Sequence, residues 1–407
     1  MKYIILFCFF FLSFSQVTFS QWTPQSSGVG SRLYSVFFID ELTGWVVGDD
    51  GVIINTTDGG NSWSEQVSGT TNYLNSVFFT SGSDGWAVGG NFSPNLGMVH
   101  HTTDGGATWP VQTDTLHNQL NSVFFVSPTT GWAAGEGGNQ ILKTTDGGLN
   151  WVLQTAEASD YRGIFFVNEN TGWAVGGNPS NTLSKILKTT DGGGNWIAQT
   201  AATTNYLRAV FFISETTGWV AGNEGIIFKT TDGGTNWEPQ NSDTTEGLYS
   251  IHFLDNNSGW MAGLSGLIIY TDNGGADWAA QNSGTNSDFS SIFFTDANNG
   301  WVVGGQGTIL YTNNGGVTFI EEEKTGEVPT DFRVLQNYPN PFNPSTSIQF
   351  SLPQTSFVTL EVFNLLGESV AVLVSEELNA GTYSYNWDAT SQTSGIYFYK
   401  LQAGNFV

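Results

Sequence analysis

One motif, repeated seven times, constrains this chain more than any other feature. The stretch TTDGGNSW at 56–63 recurs as TTDGGATW (102–109), TTDGGLNW (144–151), TTDGGGNW (189–196) and TTDGGTNW (230–237). Two looser copies follow, TDNGGADW (271–278) and TNNGGVTF (312–319). Their aligned acidic or amide positions are Asp58, Asp104, Asp146, Asp191, Asp232, Asn273 and Asn314, spaced 46, 42, 45, 41, 41 and 41 residues apart. An apolar SVFF-like run and then a Gly-Trp pair also occur seven times, at Trp45, Trp86, Trp132, Trp173, Trp219, Trp260 and Trp301. A period of roughly 40–45 residues suits four short strands and their turns, the size of one propeller blade.

The first repeat parses as strand a from Leu33 to Ile39, strand b from Trp45 to Gly48, strand c from Val52 to Thr56 and strand d from Trp63. Runs such as SVFF and WVV are continuously apolar, as in a sheet buried on both faces between neighbouring blades. In the TTDGG turn, an Asp carboxylate can accept amide hydrogen bonds just after it while two glycines supply positive φ. The Trp that follows is expected to pack its ring where the hairpin meets the next sheet. The predicted fold is all-β: a seven-bladed β-propeller over residues 21–319, with a smaller β-sandwich after it.

Closure follows from spacing. Trp63 to Trp86, Trp109 to Trp132 and Trp237 to Trp260 are each 23 residues, and so is Trp22 to Trp45. Trp22 therefore holds a strand d register with no blade before it. It is expected to complete the last blade and remove the open edges of an unclosed ring. The segment from Phe319 to Lys324 competes for that place.

These repeats resemble Asp-box repeats, also called bacterial neuraminidase repeats. In combination with LxSVFF and TGW they look most like the propellers of photosystem II assembly and stability factors, over roughly residues 22–319. The resemblance implies a role in assembling a membrane or extracytoplasmic complex through an arginine-bearing surface. The last two boxes depart from the pattern, with Asn for Asp and Phe319 for Trp.

The two ends point to export. Lys2 precedes an apolar run from Ile4 to Phe14 and a polar stretch ending at Ser20, which reads as a signal peptide over residues 1–20. The single cysteine, Cys8, lies inside it, so the chain beyond the signal has no disulfide, thiolate nucleophile or cysteine metal site. Residues 320–331 are acidic and turn-rich, a linker. Residues 332–407 read as short strands separated by turns. This segment resembles the immunoglobulin-like type A sorting domain of type IX secretion cargo. The carrying residues are Tyr338-Pro339-Asn340-Pro341-Phe342-Asn343-Pro344, Gly381-Thr382-Tyr383 and Gly395-Ile396-Tyr397. The resemblance implies handling by the type IX secretion machinery and delivery to the outer-membrane surface or medium. Such domains usually carry one further lysine-bearing strand, so the segment reads as truncated at Val407.

Charge narrows the partners. Eleven basic residues against 36 acidic ones, a net charge of −25, disfavour nucleic acid and anionic membrane surfaces. A monomer without a transmembrane segment or cofactor is expected. From box to the next Gly-Trp the spacing is 27 or 28 residues, whereas from Gly-Trp to box it runs from 13 to 18. The variable length falls in b–c connections, Asn91 to Gly97 in blade 2 and Asn178 to Ser184 in blade 4. Variable loops on a fixed scaffold mark the face opposite the boxes as the candidate surface through which a secreted, non-catalytic propeller is expected to bind a protein or glycan partner. Arg162 and Arg208 occupy equivalent positions there at the starts of strand a, with Tyr34 and Tyr249 in the same column and Arg32 two residues upstream of it. Glu136 and Glu224 come from b–c turns. Three of the four arginines thus gather on one rim, a pattern suited to carboxylate recognition.

A glycoside hydrolase, sialidase- or xyloglucanase-like, is the enzyme alternative. Arg32, Arg162 and Arg208 would imitate a sialidase triad, and Glu136 and Glu224 a carboxylate pair. The arginines occupy ordinary repeat positions without an Arg-Ile-Pro signature, and no catalytic residue is assigned. His100-His101 resembles a metal pair, but neighbours on a strand point to opposite faces, so no metal is expected. Lys143, Lys188 and Lys229 read as solvent-facing strand decoration.

Overall fold

The computed structural model describes residues 21–92, 95–137, 140–154, 156–157, 159–178, 183–316, 331–334, 337, 345–389, 392–393 and 395–404. The signal peptide, Cys8, the Phe319–Lys324 segment, the 338–344 motif and the chain terminus at 405–407 lie outside them. The chain divides into two units at Thr318 and Phe319.

The first unit contains seven four-stranded antiparallel sheets. Blade 1 runs Leu33–Phe38, Gly44–Gly48, Ile53–Thr56 and Ser64–Gln66 as strands a to d. Blades 2 to 6 repeat this order and begin at Tyr73, Leu120, Asp160, Leu207 and Leu248. Blade 7 takes strands a to c from Phe289–Phe294, Asn299–Gly304 and Ile309–Asn313, and strand d from Thr23–Gln25 at the opposite end of the chain. Trp22 is fully buried, sets its ring edge on Phe294 at 5.8 Å and donates its indole N–H to Gln281 at 3.0 Å. It fills the blade 7 place that Trp63 and Trp109 hold in blades 1 and 2, edge-on to Phe38 and Phe79. The N-terminal strand closes the ring.

What joins one blade to the next is the tryptophan of the Gly-Trp pair. Trp45 stacks face to face on Phe79 of blade 2 at 3.6 Å and donates to the Gly105 carbonyl in the box of that blade at 3.1 Å. The contact recurs around the ring and ends with Trp301 of blade 7 on Phe38 of blade 1 at 3.7 Å, donating to Gly59 at 3.3 Å. Each stack contributes about 0.5–1.5 kcal/mol beyond its buried area. The box tryptophans face the other way from the expectation above. Trp63 and Trp109 lie edge-on to the strand a Phe of their own blade and donate to Gln25 and Gln66 of the preceding one. The lysine column is also no surface decoration. Lys143, Lys188 and Lys229 set their ammonium groups 5.1–5.2 Å from the rings of Trp132, Trp173 and Trp219, and Lys188 and Lys229 also donate to box carbonyls of the next blade. Such cations over indole faces reinforce the same joints.

Within a box, the threonine is the hub. Thr56 Oγ1 donates to Asp58 Oδ1 at 2.8 Å and accepts the buried Gly60 N–H at 2.8 Å, while Asp58 accepts the amide and hydroxyl of Ser62 at 2.9 and 2.6 Å. Gly59 and Gly60 hold φ of 72° and 85°, a region L-residues avoid. Asn273 and Asn314 keep the same threonine bond through their amide oxygens. In blade 6, Asn273 gives its amide protons to Asp277, which replaces the donor usually found there.

In the second unit, Arg333–Val334, Ser345–Leu352 and Gly381–Asp388 form one sheet, and Ser369–Leu378, Ser356–Phe363 and Phe398–Ala403 the other. Their inner faces share a core of Ile348, Phe350, Trp387, Val358, Leu360 and Leu401, which makes a β-sandwich. Tyr383 and Tyr397, singled out above, each donate a hydroxyl hydrogen bond to a carbonyl four residues back, Asn379 and Thr393. Among the described residues, no helix is long and apolar enough to cross a membrane.

Candidate binding site at the axial mouth

Every strand a is interrupted by one residue near its start. Register shifts occur between Leu33 and Ser35, Leu74 and Ser76, Leu120 and Ser122, Tyr161 and Gly163, Leu207 and Ala209, Leu248 and Ser250, and Phe289 and Ser291. The skipped residue is a β-bulge, a feature that re-aims a side chain out of the pleat. In chain order these seven are Tyr34, Asn75, Asn121, Arg162, Arg208, Tyr249 and Ser290. Four of the residues selected from sequence, Tyr34, Arg162, Arg208 and Tyr249, are therefore bulge residues of one ring, where the innermost strands meet the b–c and d–a connections.

Two tiers descend from this ring along strand a. Below the bulges lie Ser35, Ser76, Ser122, Gly163, Ala209, Ser250 and Ser291. Below those, Phe37, Phe78, Phe124, Phe165, Phe211, His252 and Phe293 form a closed circle of rings with neighbouring centroids 4.8–5.2 Å apart. The aromatic circle floors the mouth. Burial holds His252 near pKa 4, against a weaker upward pull from the Phe294 backbone, so its ring is neutral at pH 7.

The arginines are arranged by aromatic rings. Arg208 lies over Tyr249 at 4.2 Å and over Tyr206 at 5.4 Å, and its Nε donates to Asn223 Oδ1 at 2.7 Å. Arg162 meets the same Tyr206 from the other side, donating from Nε to its hydroxyl at 3.0 Å and from Nη1 to Asn121 Oδ1 at 3.3 Å. Its Nη2 pairs with Glu136 at 2.7 Å. Arg32 stands over Tyr34 at 5.7 Å and donates to Ser290 Oγ at 3.3 Å. Neither Arg32 nor Arg208 has a carboxylate within ion-pair distance among the described residues. Burial lowers the pKa of Arg208, and the nearby charges of Arg162 and Arg32 push the same way. Burial also pulls Arg162 down, but Tyr206 and Glu136 outweigh it and the net shift is upward. Tyr34 is driven far above the ordinary phenol range by burial and the Asp49 carboxylate.

Not every selected residue joins this cluster. Glu136 does, through Arg162. Glu224 sits exposed at a b–c turn with φ 58° and accepts from Asn205 Nδ2 at 3.0 Å. Tyr206 was missed, although it precedes Leu207 as Arg32 precedes Leu33, and that equivalence would have found it. Asn121, Asn223 and Ser290 were missed too, as unremarkable polar residues in sequence. The variable segments in blades 2 and 4 extend b–c hairpins. Gly85–Phe92 pairs with Asn95–Thr102, and Gly172–Asn178 with Leu183–Thr189. His100 is buried with Nδ1 against the Trp109 carbonyl, while His101 stacks on Trp86 and bonds Asp84 Oδ1 at 2.7 Å. They serve separate neighbours.

Comparison with known proteins now adds to this geometry. Residues 14–123, 156–239 and 194–283, together more than half of the chain, match the model of the photosynthesis system II assembly factor YCF48. The chain belongs to this family. Residues 336–407 match the secretion system C-terminal sorting domain, which marks the chain for export. A YCF48 bound to D1 peptide superposes with TM-score 0.60 at 24% identity, covering 73% of this chain and 98% of that one. YCF48 from Cyanidioschyzon merolae gives 0.59 at 21% identity, covering 72% and 98%. A GH74 enzyme from Niastella koreensis gives 0.57 at 16% identity, covering 82% of this chain and 59% of that one, a likeness of fold. No curated protein matches by sequence.

Proposed function

We propose that this YCF48-family chain is an exported, non-catalytic recognition propeller that holds an acidic segment of a protein partner in its axial mouth. One observation carries the reading. In a chain with 36 acidic and 11 basic residues, two mouth guanidiniums, Arg208 and Arg32, stand without a carboxylate partner among the described residues. Leaving a half-buried cation unpaired costs stability unless a ligand supplies the anion. Guanidinium forks flanked by tyrosine faces suit a carboxylate on a chain that also offers apolar contact. A family member bound to a D1 peptide supports a peptide ligand over a glycan. The sorting domain supports delivery to the cell surface or beyond, through the type IX route.

Hydrolysis is the less favoured reading. A glycosidase needs two available carboxyl groups about 5–9.5 Å apart across the scissile bond. Glu136 is engaged by Arg162 and Glu224 by Asn205. The test is calorimetric titration of the purified chain with an Asp/Glu-rich decapeptide and its Asn/Gln counterpart. Binding of the acidic peptide alone, lost in Arg208→Ala, supports the proposal. Equal binding by Arg208→Ala would overturn it.

A further inference from the structure

The serine tier is a set of bridges between blades, and it has a gap. Ser291 Oγ accepts the Val36 amide of blade 1 at 3.3 Å, Ser35 that of Val77 at 3.3 Å, and Ser76 that of Val123 at 3.2 Å. Ser122 accepts from Ile164 at 3.3 Å and Ser250 from Ile292 at 3.1 Å. Each amide belongs to the innermost strand and points away from its own sheet. Five seams are closed in this way. At the remaining two, between blades 4 and 5 and between blades 5 and 6, the positions are Gly163 and Ala209. The equivalent amides, those of Val210 and Ile251, meet no hydroxyl there.

The equivalence is geometric as well as sequential. A Cβ on Gly163 would lie 3.3 Å from the Arg208 carbonyl oxygen and 3.3 Å from Val210 Cγ1, so this position faces the next blade as the serines do. The gap also coincides with the arginines. Arg162 and Arg208 are the bulge residues immediately before Gly163 and Ala209. Arg208 leans over Tyr249 of blade 6 and so spans the seam that Ala209 leaves unbridged. Phe211 and His252, 5.2 Å apart, floor the same seam.

We infer that the carboxylate of the ligand is seated in this gap, accepting the Ile251 and Val210 amides from below while Arg208 closes over it from above. This rests on the mouth being an anion site, as proposed above. Gly163 and Ala209 are then specificity-determining residues, because the missing hydroxyls are what leave two amides for the ligand. Backbone amides beside fixed guanidiniums make a strong carboxylate receptor. Arg162 contributes charge from the neighbouring seam, while Glu136 keeps it from being a second seat.

The decisive variant is Ala209→Ser, which adds one oxygen where a Cβ already stands and copies the bridge of the other seams. The expected result is a loss of affinity for the acidic decapeptide of about tenfold or more, the scale of one charge-assisted hydrogen bond. Ser76→Ala, at a bridged seam away from the arginines, should bind as the unaltered chain does. Amide exchange at Ile251 should slow on peptide binding, and in Ala209→Ser it should be slow already. Decapeptides with a free or an amidated C-terminus distinguish a terminal carboxylate from a side-chain one. Either source fits the seat. Unchanged affinity in Ala209→Ser, with binding still lost in Arg208→Ala, would overturn the seat and leave the mouth standing. Unchanged binding in both variants would overturn the mouth as well.

Discussion

The Asp-box face and the axial mouth are made by the same seven repeats, yet they treat polar groups in opposite ways. On the box face each threonine, carboxylate and glycine amide is closed within its own turn, blade after blade. At the mouth the bulge position carries Tyr, Asn, Arg or Ser, and two of the mouth's three arginines, Arg32 and Arg208, lack an acidic partner among the described residues. An acid-rimmed hollow of about 690 Å³ opens on the box face between blades 7 and 1, lined by Phe38, Asp40, Glu41, Phe293 and Asp296. It offers nothing to an anion. The lesson is that repetition marks scaffold, and the departure from repetition at a fixed backbone position marks the candidate site.

Breaking the scaffold should cost stability and spare specificity. The largest effect expected is from Trp22→Ala, which empties a fully buried site where the two ends of the ring meet. A buried Trp-to-Ala change costs about 3–5 kcal/mol, read as a shift in the denaturant midpoint. A midpoint unchanged within error would mean that the N-terminal strand does not close the ring. Next is His252→Phe, which completes the aromatic circle. The folded His252 pKa is near 4 against 6.5 for a solvated histidine side chain. The unfolded chain therefore binds the proton more tightly. Stability from the neutral ring is full above pH 6.5 and is lost as pH falls towards 4. The variant should remove that slope, a difference of about 1–3 kcal/mol at pH 4, measured by urea unfolding at several pH values. The box carboxylates titrate lower. Asp104 is held at about 2, chiefly by the Thr108 amide and with help from the Thr102 hydroxyl, so its stabilisation is lost only as pH falls from 3.8 towards 2. The two windows are separable. The smallest effect is from Thr144→Val, which leaves the buried Gly148 amide without its acceptor at 2.8 Å. It should cost about 1 kcal/mol, the low end for a buried amide left unpaired, and leave peptide binding intact. A change in affinity would show that the two faces are coupled.

Much of this was legible in the sequence because a repeat repeats its physics. Seven Gly-Trp pairs and seven boxes implied seven sheets, and the 23-residue spacing from Trp22 to Trp45 implied closure by the N-terminus. The arginine rim was legible from columns too. Contacts between repeats were not. Trp45 stacks on Phe79 and Lys188 bonds Gly233 across blade joints, and spacing within one repeat carries no sign of its neighbour. The bulge was equally hidden, since LYSVFF and LRAVFF read as unbroken apolar strands. Only the register shift reveals why the second residue of each points into the mouth. Tyr206, which joins Arg162 to Arg208, was legible only by aligning it with Arg32, one residue before the first leucine of strand a.

The central claim is that the mouth recognises and the box face supports. Its most direct test is one titration of the Asp/Glu-rich decapeptide against two charge-altered chains, Arg208→Glu and Asp232→Asn. The account predicts that Arg208→Glu loses binding by about a hundredfold or more, with its fold intact by circular dichroism. It predicts that Asp232→Asn binds as tightly as the unaltered chain. Undiminished binding by Arg208→Glu, or binding lost in Asp232→Asn, would contradict the account.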